Sequence, residues 1–369
     1  MIRRLALALA LTCAVASHVM AQTMPPAWDA LVAAAKREGK VVVIGPPDSE
    51  VRKNLPSAFK SRFSITVDYI GGRTNEQVAK LRAERTAGLY TTDVVISGLQ
   101  TTATTFYPEK MLTPLKPALI LPEVVDGSKW KRGSPWFLDP EQQYILRLSN
   151  TVQPSFYINT SIVKPSDFHS GEDLFDPKWR GKIAAQDPTV TGSGGTTGAR
   201  IYVAFGEEGL KKLYIDQKPA ISRDARQLTD WLLHGTYPIV LNADEDQVEQ
   251  MRLEGMPIMV VYGLTHLSAT LSAQYGTVSL FDSAPHPNAA KVFVNWLASK
   301  EGMEIWDRAR REVPTRNDID ELSFLPKDKI PQPGIEYFDT YGWEFSTNTA
   351  EKARLLAKDL LSGTAARTK

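Results

Sequence analysis

The 369-residue chain sets 43 Lys+Arg against 42 Asp+Glu and is 43% hydrophobic and 9% aromatic, an ordinary globular composition with enough length for two lobes. That balance excludes a disordered or fibrous chain and supplies no basic field for nucleic acid. Beyond the first residues, no run of about 18 apolar residues reads as a transmembrane span.

Residues 1–21 place Arg3 and Arg4 ahead of an apolar run over 5–15 and end in Val19-Met20-Ala21, the pattern of a secretory signal cleaved after Ala21. Its removal takes away two arginines and no acid, leaving 41 basic against 42 acidic residues. The only cysteine, Cys13, lies inside this segment, so the mature chain has none, which excludes thiol catalysis and cysteine metal sites and suits a periplasmic protein.

Trp28, Leu31, Val32 and Ala35 recur at helical spacing, and Gly39 closes that helix before an apolar strand over 41–44. A helix-like segment follows that Pro56 interrupts, then a strand over 63–70. Gly71-Gly72-Arg73 leads into Thr74-Asn75-Glu76-Gln77, a capping-box pattern for a charged helix through Arg85. Residues 93–96 form a third strand, and extended segments at 144–148 and 155–158 are candidates for a crossing between lobes.

The alternation then restarts. A strand over 182–185 precedes a Gly/Ser/Thr loop and a helix from about Gly198. A helix around 228–233 and strands over 238–241 and 257–261 follow. Residues 277–281 return to the first lobe, helices follow Pro287, and 350–361 is a last amphipathic helix. The predicted class is α/β: two similar lobes with largely parallel sheets, whose ligands bind beyond the carboxyl ends of the strands. The expected divisions are signal 1–21, first lobe 22–150, second lobe 151–276, a first-lobe return over 277–312, and a C-terminal extension over 313–369 packed on the second lobe.

Several pieces, in this order, resemble the periplasmic solute-binding proteins of ABC importers with the type 2 two-lobed fold, nearest the ferric-iron-binding group. They are the stretch 72–85 with Asp93-Val94-Val95, then Tyr157-Ile158-Asn159-Thr160, the stretch 176–188 with its following glycines, and 290–303 leading to Val313-Pro314. The resemblance implies two lobes that close on a solute and hand it to an inner-membrane permease and ATPase, with no cofactor and no chemistry, as a periplasmic monomer. Iron-binding members use two adjacent tyrosines just after the strand matching 238–242. This chain has Asp244-Glu245-Asp246 there, so ferric iron, held by carboxylates, becomes the second reading. A secreted enzyme on the same fold is the rival from another class, and a sensor partner in place of a permease is a third.

The predicted site gathers at the strand ends. In the first lobe these are Asp48 and Ser49, then Gly72, Arg73 and Thr74, then Ser97. Arg73 offers a guanidinium for a two-pronged pair with an anion. Tyr157 and Asn159 stand at the crossing. In the second lobe, Gly192, Ser193, Gly194, Gly195 and Thr196 present backbone N–H groups and hydroxyls to a carboxylate or phosphate. Asp244 and Glu245 offer acceptors to ligand hydroxyls or amines. Neither a G-x-G-x-x-G nor a phosphate-loop lysine is present, and His169, His234, His266 and His286 have no metal-ligand spacing. The expected ligand is therefore a small anionic organic solute.

Overall fold

The computed structural model describes residues 25–367 except Gln274 and Pro326; the expected signal segment 1–21 lies outside the described residues. Helix α1 (Pro26–Glu38) ends at Gly39 in the left-handed region, and β1 (Lys40–Gly45) follows. Helix α2 (Ser49–Phe63) runs straight through Pro56 instead of stopping there. A proline inside a helix costs about 3 kcal/mol, but Val51, Leu55, Phe59 and Phe63 form one buried stripe. Each such side chain gains about 1.5–3 kcal/mol on burial, so packing wins.

Strand β2 (Thr66–Gly71), α3 (Thr74–Thr86), β3 (Val94–Ser97), a helical turn α4 (Leu99–Thr101), β4 (Leu112–Thr113) and a turn α5 (Pro122–Val125) follow. Arg73, not a capping hydroxyl, occupies the N-cap of α3, and no side chain caps it, so the capping-box expectation fails. Beyond β5 (Leu146–Arg147) come β6 (Ser149–Gln153), β7 (Phe156–Asn159) and β8 (Ile183–Gln186). Helix α6 (Ser193–Lys211) starts five residues before the expected Gly198, so most of the predicted loop is its first turn. Then follow β9 (Ala220–Ser222), α7 (Ala225–Leu233), β10 (Ile239–Leu241), α8 (Glu245–Leu253), β11 (Ile258–Val261), β12 (Thr270–Ser272) and β13 (Thr277–Phe281). Helices α9 (Pro287–Ala298) and α10 (Lys300–Arg310), short strands β14 (Val313–Pro314) and β15 (Phe338–Asp339), and α11 (Ala350–Arg367) complete the chain.

Three sheets result. The first has the order β2-β1-β3-β13-β4 with β5 beside β13; its β1, β2 and β3 are parallel. The second has the order β11-β7-β10-β8-β9. The third, β14-β6-β12-β15, is a ribbon between them. Each large sheet is covered on both faces: α1, α2, α9 and α10 against α3 and the 99–112 region in the first lobe, α6 and α11 against α7 and α8 in the second. Two-sided burial explains why β1 and β10 read as unbroken apolar runs.

Register fixes how the lobes face. Thr277 pairs with both Ser97, at the exit of β3, and Arg147, just before β6. At the other end β7 pairs antiparallel with β10, Val240 opposite Tyr157, so Phe156 enters beside the exit of β10. The ribbon therefore joins exit edge to exit edge.

Candidate functional site

On the first-lobe edge, Asp48 is committed elsewhere. Its Oδ1 accepts from the N–H groups of Glu50 and Val51, at 2.9 and 3.0 Å, capping α2. Its Oδ2 accepts from Arg310 at 3.0 Å, and Arg310 also donates to Glu312 at 3.2 Å. Burial alone would lower the pKa of Arg310, but Glu312 and Asp48 together raise it above its ordinary value. Asp48 is thus half of a half-buried ion pair as well as a helix cap. Ser49 is exposed in the first turn of α2.

The Gly72 N–H donates to the Gly45 carbonyl at 3.0 Å, tying two strand-end loops together. The side chain of Arg73 is 60% exposed and, among the described residues, pairs with Glu76 alone, at 3.9 Å. Thr74 is buried, and its Oγ1 has no hydrogen-bond partner. Ser97 is buried with its hydroxyl 2.5 Å from that of Thr102, and its carbonyl accepts from Thr277 at 2.8 Å. Ser97 thus holds the edge together through its hydroxyl and its carbonyl.

On the second-lobe edge the first turn of α6 is clamped. Gly192 caps it at φ 115°, a conformation that favours glycine. A Cβ on Gly194 would fall 2.3 Å from the Asp187 carbonyl, and one on Gly195 would fall 2.4 Å from that of Val190. Only glycine lets the turn pack this closely. The Thr196 N–H bonds back to Gly192, and Ser193 lies half-buried at the helix start, whose first N–H groups lack intrahelical acceptors. Asp187 braces the loop, accepting from Thr189 and from Arg223. Burial would raise its pKa, yet the Thr189 and Arg223 bonds lower it.

Asp244 caps α8 by accepting from the Gln247 N–H at 3.1 Å, and Glu245 pairs with Lys329 at 3.5 Å. Both carboxylates therefore have partners within the protein. Tyr157 and Asn159 are corrected in position. Strand β7 runs against β10, so each step from 156 to 159 leads away from the exit edge. Tyr157 packs with Leu228, Leu232 and Val240 under α7. Asn159 donates to Leu232 and Leu233 at the opposite end of the lobe, beside Pro238.

Three groups with no place in the expected site lie at this edge. Gln186 and Asn242 follow the level pair Ala185–Leu241 on adjacent strands, and their buried amide oxygens have no partner. Arg200, two turns into α6, is buried; its Nη2 donates to the Ser268 carbonyl at 2.9 Å and to the Ser155 hydroxyl at 3.4 Å. Those two oxygens mark where the ribbon enters the second lobe. Among the described residues no carboxylate pairs with Arg200, and burial alone lowers its pKa to about 10. Nothing local flags Arg200 in sequence, since an arginine inside a helix is usually a solvated one.

The ribbon joins the two exit edges, with donors and a cation on the second-lobe side. Comparison with known proteins agrees with this architecture. Residues 54–332 match the family model described as bacterial extracellular solute-binding protein. Iron-bound HitA from Pseudomonas aeruginosa superposes with a TM-score of 0.64 at 15% identity, covering 87% of this chain and 99% of that one. The ferric binding protein from Campylobacter jejuni gives 0.67 at 14%, covering 87% and 99%. The periplasmic binding protein AfuA from Actinobacillus pleuropneumoniae, with fructose-6-phosphate bound, gives 0.62 at 19%, covering 87% and 97%.

Proposed function

This chain belongs to the bacterial extracellular solute-binding proteins, a family that binds solutes for ABC import without transforming them, and we propose that its own cargo is a small anionic organic solute. Arg200 carries the proposal. A buried cation that no acid neutralises is costly, and a solute carboxylate or phosphate arriving there offsets that cost. The start of α6 adds backbone donors and a favourable dipole on the same side. The unpartnered oxygens of Gln186 and Asn242 favour a cargo that also carries hydroxyl or amine donors. Arg73 and Thr74 supply the facing jaw, and closure follows from the solute binding the closed state more tightly.

Ferric iron fits this edge less well. The carboxylates that replace the tyrosine pair are spent on a helix cap and on Lys329. Among the described residues no three or more His, Cys, Asp or Glu side chains converge as a metal site. Calorimetric titration with citrate, sugar phosphates and other organic acids, alongside ferric ion, separates the two. Saturable binding of an organic anion that weakens on Arg200→Met is expected. Tight ferric binding with none of the organic anions would overturn the proposal.

A further inference from the structure

Helix α11 reaches the anion edge of the second lobe from outside it. Its buried face is made of small residues, Ala350, Ala353 and Ala357, so it lies close against α6. Beside that face Arg354 holds both carboxylate oxygens of Glu351, one turn back, through its Nε and Nη2. Its Nη1 donates to the Thr189 carbonyl at 3.0 Å. The two-pronged grip fixes the guanidinium plane and offsets its charge, so the remaining prong works as a directed donor.

Thr189 lies between β8 and α6, and each of its polar groups is engaged. Its N–H and hydroxyl donate to Asp187 Oδ1 at 2.8 and 2.6 Å, and its carbonyl takes Arg354. The residues around it are what the start of α6 rests on. The carbonyls of Asp187 and Val190 abut Gly194 and Gly195, leaving no room for a Cβ, and Pro188 faces Gly198. In so close a packing, a shift of Thr189 passes directly to the peptide groups of 193–195. Two arginines brace this loop. Arg223, on the other oxygen of Asp187, is 70% exposed, whereas Arg354 is 21% exposed, so the firmer brace is the one from α11.

We propose that Arg354 is a positioning residue for solute capture: it locks Thr189 from the C-terminal helix and thereby holds the first N–H groups of α6 in the geometry that meets an anion. The role rests on the reading of the α6 start and Arg200 as an anion-binding edge. Arg354 acts through the loop and not through its own charge, because Glu351 already balances that charge.

The test uses the full mature chain. Without solute, Arg354→Met should move the amide NMR resonances of Ser193, Gly194, Gly195 and Thr196, with melting little changed. In calorimetric titration with citrate and with fructose-6-phosphate, Arg354→Met should bind about fivefold to tenfold more weakly than the wild type. Arg354→Lys, which keeps a donor within reach of the Thr189 carbonyl, should restore most of the affinity. The ratio of wild-type to Arg354→Met affinity should be the same in dilute buffer and at about 1 M salt, where through-space attraction is screened. Equal affinities in wild type and Arg354→Met, unmoved resonances over 193–196, or a loss that disappears in high salt each overturns the proposal. A wild type that binds neither probe fails the anion reading itself, and the role of Arg354 falls with it.

Discussion

The ribbon between the lobes has an arginine at each root, and the two are treated differently. At the first-lobe root Arg147 lies between the rings of Trp136 and Tyr341, 4.2 and 4.8 Å away, and pairs with Asp339 at 2.7 Å. Its neighbours Arg310 and Arg316 also have acids, Asp48 and Glu312 for one, Asp318 and Glu123 for the other. At the second-lobe root Arg200 meets, among the described residues, a carbonyl and a hydroxyl and no acid. A charge balanced inside the protein stabilises geometry; a charge left unbalanced at an exit edge is available to something from outside.

Removing one member of a balanced set should show the largest effect. Arg310→Met leaves Asp48 and Glu312 without their shared cation, and stability should fall by about 3–5 kcal/mol, read by denaturant unfolding. A loss no greater than that of an exposed substitution would mean that these acids do not depend on Arg310.

Arg200→Met should behave in the opposite way. The apo protein should keep its stability or gain some, while affinity for the organic anion falls by about 1.5–3 kcal/mol, the scale of a charged hydrogen bond. If it destabilises the chain as Arg310→Met does and leaves solute affinity unchanged, the contrast between the roots collapses.

Asp307 sharpens the comparison through pH. It is wholly buried in α10, and neither carboxylate oxygen has a partner. Burial, reinforced by the nearby Glu312 charge, raises its pKa well above the ordinary carboxyl value. An acid with a higher pKa folded than unfolded takes up a proton on folding. Its contribution is fully present below the unfolded value of about 4 and is lost as pH rises through the folded value. Asp307→Asn removes that loss, so its melting temperature should gain a few degrees on the wild type toward alkaline pH. Parallel melting curves from pH ~4 to ~9 would refute a raised pKa.

Arg73→Ala should have the smallest effect. Because the side chain is solvated and only loosely paired, a several-fold loss of solute affinity with no change in melting is expected, weaker than for Arg200. A loss exceeding that of Arg200→Met would move the main anion contact to the first lobe.

The α/β alternation was legible because β1, β8 and β10 are short apolar runs set between helical periods, and two-sided burial makes such runs conspicuous. The Gly/Ser/Thr stretch after β8 signalled that a helix opens there, but not that the helix begins at Ser193. The partners of the strand-end acids were not legible. Asp48 and Arg310 are 262 residues apart, and the polar company of Arg200 comes from Ser155 and Ser268, 45 and 68 residues away. Asp48, Asp244 and Glu245 look free in a one-dimensional reading, because helix caps and long-range ion pairs use the same residue types as ligand sites. Pro56 misled in the other direction, its local penalty being outweighed by a packing stripe that only the folded α2 creates.

The chain crosses the ribbon in β6 and β12 and then passes over a third time between β14 and α11. Helix α1 therefore packs on α9 in the first lobe, while α11 packs on α6 in the second. The first and last helices ride on opposite jaws. A donor dye on an exposed residue of α1 and an acceptor on one of α11 would turn the protein into a ruler of its own occupancy, its length set by the bend of the ribbon.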